Sequence, residues 1–491
     1  FEGDGSSMTG VAMTIAPLAY NPDVNDTQVT VGTGIGITFD HRILAGSGNV
    51  TLSISNAGAA GTTVENFGVG SSVTIAGRKA IITPSDNLSA GETYHISYPS
   101  GAFTDTSGDV SYVGTAYTFG VKPEFGGLYT FGDNEEGQLG QNSTVNRSSP
   151  VQLPGTRWKN AISTPDQARS WLIGTNDGTL WAVGRNTAGQ LGQNNDTVYS
   201  SPIQIPGTNW SGVLGSGHNC FFATKTDGTL WAWGWNDDGQ LMQNNQVSYS
   251  SPVQIGSDTD WSTDNLNALT MGYQNFMGIK SDGTLWGGGA NTYGARGTNQ
   301  ASTHKNSSPV QVGSDTTWAG VWGHPLTRLA VKTDGTAWAW GHNSAGQLGL
   351  NNTTNYSSPT QIGSGSDWSY MSSSSYNDPS HGIKTDGTLW AWGGQGWGQL
   401  GLNQGGTVRY SSPVQVPGTT WRQIAGGEFG AIGATKTDGT LWMWGQNHSP
   451  PSGGTLGQNN HTDYSSPVQV PGTTWRRVKV SDAATYAFTE E

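Results

Sequence analysis

The residues best equipped for chemistry recur. Asp-Gly pairs begin at Asp177, Asp227, Asp282, Asp334, Asp386 and Asp438. A carboxylate can hold a cation, but an Asp beside a Gly is first of all a turn. One Asp per ~50 residues, the scale of a repeat unit, also leaves these side chains too far apart to share an ion. Two acidic segments, Asp133-Asn134-Glu135-Glu136 and Asp237-Asp238, offer oxygen ligands of the kind calcium takes, but without the Asp-x-Asp-x-Asp-Gly spacing. They read as solvated loops, with no metal expected. Histidines 218, 304, 324, 342, 381, 448 and 461 form no His-x-x-x-His pair. Cys220 is the single cysteine, so neither a disulfide nor a cysteine zinc site is available; it reads as a small buried apolar residue. The pairs Trp231/Trp233, Trp338/Trp340, Trp390/Trp392 and Trp442/Trp444 are two apart and share a strand face. They could stack on sugars, but a core stripe is the simpler reading. Trp235, Trp322 and Trp397 stand off this pattern and are the better ligand candidates.

The elements that must hold these residues follow from composition. Of 491 residues, 74 are Gly and 21 are Trp, and only 12% are charged. A chain this poor in Lys and Glu cannot surface many helices. Abundant Gly suits short strands joined by tight turns. The net charge of −13 argues against nucleic acid, whose binding rests on cationic contacts to phosphate, and against an anionic membrane surface. No apolar run reaches the ~18 residues of a membrane span. The opening Phe1-Glu2-Gly3-Asp4 reads as a processed N-terminus.

Every Trp lies at or beyond Trp158, which marks a change of architecture. Before it, short alternating runs predict strands at 34–40, 49–55, 72–76, 79–83, 93–98 and 115–121. Period-two alternation between Gly, Asn and Pro clusters predicts a two-sheet sandwich. The segments GIGITFDHRI (34–43), LSAGETYHISYPSGAFTDTSGD (88–109) and AYTFGV (116–121) resemble a bacterial Ig-like domain of the surface-layer type. That resemblance implies a spacer or adhesive module of an exported protein.

Beyond it, three further markers repeat together with the Asp-Gly pairs. SSP places Pro at 150, 202, 252, 309, 359, 413 and 467. A lone Trp follows at 158, 210, 261, 318, 368, 421 and 475. Gly-Gln-Leu-Gly or a variant ends at 140, 192, 242, 297, 349, 401 and 457. Each unit reads as four strands, with Asp-Gly making a two-residue type I′ hairpin. Four strands per ~50 residues is a propeller blade. Seven copies of these markers face only six Asp-Gly-Thr hairpins. The missing hairpin is split between the chain ends, so the C-terminal strand should pair with the strand starting near Leu128. TKTDGTLWAWGWNDDGQLMQNN (224–245) resembles the regulator-of-chromosome-condensation repeat, which implies a seven-bladed propeller. Relatives of that kind include a nucleotide-exchange factor, ubiquitin-ligase subunits and a secreted bacterial β-lactamase inhibitor, and the shared implication is a protein partner. The His that usually opens the strand before the hairpin is here Ser170, Cys220, Asn275, Thr327 and Ala431, so exchange activity is not carried over. The hairpin also differs from the sialidase Asp-box, whose Asp and Gly are separated by one residue.

The expected organisation is all-β: a flexible arm at 1–11, an Ig-like sandwich at 12–122 and a seven-bladed propeller at 123–491. The arm could add a strand to a neighbouring subunit, giving self-assembly. The variable loops between the second and third strands of the blades should emerge on one face. They carry Asp166, Arg169, His218, Tyr273, Gln274, His324, Tyr376, Asp378, His381, Glu428 and Phe429, which are the expected partner-binding residues. The expected function is non-enzymatic, with no catalytic residue and no cofactor. It is that of an extracellular structural or adhesive protein, on a virion or a bacterial cell surface, with a protein or surface glycan as partner. The alternatives are a secreted protein-binding inhibitor and a carbohydrate-active enzyme.

Overall fold

The structure, a computed structural model, describes residues 17–22, 24, 29, 34–56, 59–86, 88, 93–105, 112, 116–121, 127–155, 158–164, 169–175, 177–272, 274–300, 305–324, 326–374, 379–427, 430–447, 454–481 and 484–489. The chain divides into two compact units, Phe1–Glu124 and Phe125–Glu491. The proposed arm at 1–11 lies outside the described residues.

The first unit is a sandwich. Pro17–Asn21, Ile35–Phe39, Lys79–Ile82 and Val73–Ala76 make one sheet in that order. Tyr117–Gly120, Thr93–Ser97, Asn49–Asn56 and Ala59–Gly68 make the other. The alternation that predicts the central strands also builds the core: Ile35, Ile37, Phe39, Leu52, Tyr94, Ile96 and Phe119 are buried. The sequence misses Pro17–Asn21 and Ala59–Gly68. Both are edge strands, and their side chains are mostly exposed. Without a buried face they show no apolar period.

The second unit is a ring of seven four-stranded antiparallel sheets. We name the strands a to d from the axis outward and number the blades from the one opening at Trp158. In the second blade these are Trp210–Gly217, Cys220–Lys225, Leu230–Gly234 and Tyr249–Gln254. The seventh blade is composite. Its strands a and b are Trp475–Val480 and Ala484–Thr489; its c and d are Gly127–Gly132 and Arg147–Gln152. Leu128 pairs with Phe488 and Tyr129 with Ala487, the closure the sequence predicts. The SSP prolines fall inside strand d. Strand d is a blade edge, where a strand tolerates a missing N–H.

Each blade is tied to the next by its c–d loop. An Asn donates its backbone N–H to a Ser carbonyl on the neighbouring strand d: Asn142 to Ser200, Asn194 to Ser250, Asn244 to Ser307, Asn299 to Ser357, Asn351 to Ser411, Asn403 to Ser465, and Asn459 back to Ser148, all within 2.7–3.0 Å. All seven Asn have φ between 52° and 58°, a left-handed geometry that Asn tolerates better than most residues. Tryptophans lock the same seam. Trp233 is fully buried and donates Nε1–H to the Gln190 carbonyl at 2.8 Å. Trp392 and Trp444 repeat the bond to Gln347 and Gln399.

The hairpins differ from the expected type I′. Only the glycine has positive φ, for example Gly228 at 78°. Gly228 N–H bonds the Lys225 carbonyl, and Lys225 N–H bonds the Thr229 carbonyl. This is a three-residue turn ending in a left-handed glycine. Asp227 accepts from the Thr229 amide at 3.0 Å and hydroxyl at 2.7 Å. That hydroxyl in turn accepts Nε1–H of Trp231 at 2.9 Å. The set recurs at Asp177, Asp282, Asp334, Asp386 and Asp438. These hairpin aspartates therefore organise a turn. In the second to sixth blades the Lys two residues earlier lies over two indoles, as Lys225 does over Trp231 (4.0 Å to the ring centroid) and Trp210 (5.1 Å).

Candidate functional site

Antiparallel order puts the a–b connections at the end of the ring opposite the hairpins. The c–d loops share that end and are bonded to them. Arg185 N–H donates to the Arg169 carbonyl, Trp235 to Asn219, Ala290 to Gln274, His342 to Leu326 and Gln446 to Gly430, at 2.8–3.1 Å. The predicted loops are therefore half of a rim whose other half is the c–d loops.

Three groups of side chains stand on this rim. Arg169 bridges Asp133 at 3.2 Å and Glu135 at 2.9 Å, which engages the first acidic segment. His218 lies against Trp235, ring centroids 4.9 Å apart, and Tyr293 against His342 at 4.6 Å. Tyr293 is 39% exposed and Trp397 46%, both in c–d loops. In the second acidic segment, Asp238 is buried and paired with Lys305. Among the described residues no group of three His, Cys, Asp or Glu is close enough to hold a metal ion.

Of the expected partner-binding residues, Arg169, His218 and Gln274 lie on this rim. The backbone of His324 ends strand a of the fourth blade, paired with Thr327. Asp166, Tyr273, Tyr376, Asp378, Glu428 and Phe429 lie outside the described residues. His381 is a correction. Its loop ends at Pro379, and Ser380–Lys384 is strand b. His381 is fully buried against Trp444, with Nε2 3.2 Å from the Gln399 carbonyl. Burial pushes its pKa down to about 3, because a charged imidazole there would be desolvated. Cys220 is buried beside Met271, as its apolar reading requires.

Sequence reasoning reached Trp235 and Trp397 as off-pattern tryptophans but not Tyr293 or His342. The available signal was a broken repeat: Thr292-Tyr293-Gly294-Ala295-Arg296 stands where other blades have Gly-Gln-Leu. Trp322 is elsewhere, in strand a of the fourth blade. There it lines the axial cavity beside Tyr370, ring centroids 5.2 Å apart, with Ser216, Thr270, Gln423 and Lys479.

The bacterial Ig-like domain family matches residues 12–121. The regulator of chromosome condensation (RCC1) repeat matches 126–163, 177–221, 227–263, 334–376 and 386–432. The chain is a bacterial Ig-like domain followed by a propeller of RCC1 repeats. The RCC1 propeller resembles that of Prp20p from Saccharomyces cerevisiae, with a TM-score of 0.63 at 14% identity over 74% of this chain and 91% of that one. Human WBSCR16 gives 0.61 at 18% identity, over 74% and 99%. Among curated proteins, the mitochondrial RCC1 domain-containing protein RUG3 of Arabidopsis thaliana is 31% identical over 142 residues, 28% of this chain and 31% of its own length. Protein RCC2 of Homo sapiens is 36% identical over 81 residues, 16% of each chain. The chain thus spans a third or less of these two relatives' lengths, and the RCC1 likeness speaks for the fold.

Proposed function

We propose that this chain is a surface-exposed structural or adhesive protein, non-enzymatic, whose RCC1 propeller presents its loop-bearing rim to a partner. The observation that carries this reading is the contrast between the two ends of the blades. The hairpin end repeats one Asp–Thr–Trp set in six blades. The rim differs from blade to blade and offers exposed aromatics, Tyr293 and Trp397, beside the Arg169 ion pairs. Exposed aromatics and arginine are the residues that recognition surfaces favour. The bacterial Ig-like domain supports a bacterial surface as the setting, and no helix is long and apolar enough to cross a membrane among the described residues. A protein or a surface glycan would suit such a rim.

Light scattering on native material tests the structural half of the reading. A large regular assembly is expected. A monomer that forms a one-to-one complex with a soluble protein would replace this reading with that of a protein-binding inhibitor.

A further inference from the structure

The repeats show what one pocket of the blade holds. In five blades a lysine ammonium lies over two tryptophans. One opens strand a in four of these blades and in the third blade is Trp261, bridged to Lys280 ahead of that strand; the other is the first Trp of strand c. The distances to the two ring centroids are 5.1 and 4.0 Å for Lys225, 5.2 and 4.6 Å for Lys280, 4.8 and 4.1 Å for Lys332, 5.1 and 4.9 Å for Lys384, and 4.5 and 4.7 Å for Lys436. Register places the lysine opposite the strand-a Trp, as Trp210 pairs with Lys225 and Trp421 with Lys436. In the first and seventh blades the same register puts a threonine there: Trp158 pairs with Thr175, and Trp475 with Thr489. The aromatic walls remain. Trp158 and Trp181 are 6.2 Å apart, the separation of Trp210 and Trp231 around Lys225. Tyr129 and Trp475 stand 5.3 Å apart, beside a surface cavity lined also by Pro150, Asn459, Gly472 and Thr489.

We propose that the two aromatic pairs whose register partner is threonine, Trp158/Trp181 and Tyr129/Trp475, bind an alkylammonium group supplied by a ligand. An indole face attracts a cation through its quadrupole, and paired rings are a recognised receptor for quaternary ammonium. The filled blades are the template: the same walls at similar spacing already hold an ammonium. A choline-type headgroup and a partner's lysine side chain carry this chemistry equally. The inference does not depend on the rim, which lies at the other end of the blades.

Titration of the whole protein with tetramethylammonium chloride, followed by NMR of the indole N–H signals, tests it. Saturable shifts are expected for Trp158 and Trp475, with none in sodium chloride at equal ionic strength. Thr175→Lys and Thr489→Lys should each weaken binding at their own pair at least tenfold, because a tethered ammonium fills the site as it does in five other blades. Trp181→Leu, which removes a wall, should do the same at the first pair if the lysine variant folds poorly. Choline competing better than Nα-acetyl-lysine amide assigns the ligand to a headgroup, and the reverse order to a protein lysine. Shifts that do not saturate, or that persist unchanged in the lysine and leucine variants, would overturn the proposal.

Discussion

Five of the six hairpin aspartates are held ionised by their neighbours. The Thr229, Thr284, Thr388 and Thr440 hydroxyls hold Asp227, Asp282, Asp386 and Asp438 below the usual carboxylate range, and the Thr336 amide does so most for Asp334. A depressed pKa in the folded state means the unfolded chain binds more protons in acid. The stabilisation is therefore complete above about pH 4 and lost as pH falls through the folded values. Urea melts from pH 7 to 3 should show the midpoint falling below about pH 4, and Asp→Asn at all five sites should flatten that fall. His381 acts in a different window with the same sign. It is buried neutral with its pKa near 3, so its contribution is complete above about pH 6.5 and declines as pH drops below that. The same register position is Leu172 in the first blade and Leu329 in the fourth, each opposite an Ala as His381 is opposite Ala391. His381→Leu should therefore stay within about 1.5 kcal/mol of the parent at pH 7, as a core replacement of similar size does. It should also lose less stability than the parent between pH 6.5 and 4, read by the same melts. Residues of this kind explain why the site was only partly legible. Asp-Gly announces a turn, but which glycine or aspartate takes positive φ is decided by the closing pair, Lys225 and Thr229. His381 looked like a loop residue because Ser372 to Pro379 gives no sign of where strand b resumes.

Elements in this ring are specified by what each blade receives from its neighbour. The third blade departs from the repeat in a compensated way. Where the second, fourth, fifth and sixth blades have a buried Trp in strand c, it has Gly288; where the other Gly-Gln-Leu-Gly segments end in Gly, the one facing it ends in Met242. A Cβ on Gly288 would run into Met242 Sδ, whereas one on Gly349 would meet Trp392 Nε1 at 2.9 Å. The methionine fills the volume of the missing indole. Met242→Gly alone should cost about 2–4 kcal/mol through the cavity it leaves, and Gly288→Trp alone should be worse than neutral by overpacking. The double variant should recover most of the loss, and a double-mutant cycle by urea unfolding would read that coupling. Additive losses would mean the two positions are independent. The seven stitching asparagines make a parallel case. Asn403→Ala should cost up to about 1–2 kcal/mol, because it keeps the left-handed Cβ but loses the polar side chain that offsets it, and Asn403→Gly should cost less. These asparagines were visible as a repeated letter. Their role was not, because a backbone bond to the next blade leaves no periodic trace within one blade.

The whole molecule was the most readable scale. Seven copies of three markers, against six hairpins, fixed both the blade number and the shared seventh blade, which Leu128 and Phe488 then form. The sandwich was legible where its strands bury one face and silent at two of its four edge strands, Pro17–Asn21 and Ala59–Gly68. Function was less legible, since repeats record what blades share and a partner reads what they do not. The central claim is that the rim carrying Trp235, Tyr293 and Trp397 contacts the partner. The most direct test is the affinity of labelled protein for bacterial envelope preparations, comparing Trp235→Ala/Tyr293→Ala/Trp397→Ala with Asp334→Asn/Asp386→Asn at the opposite end. The account predicts at least a tenfold loss in the rim variant, ~1.4 kcal/mol or more, with the hairpin variant binding as the parent does. Undiminished binding by the rim variant, with loss in the hairpin variant, would contradict it.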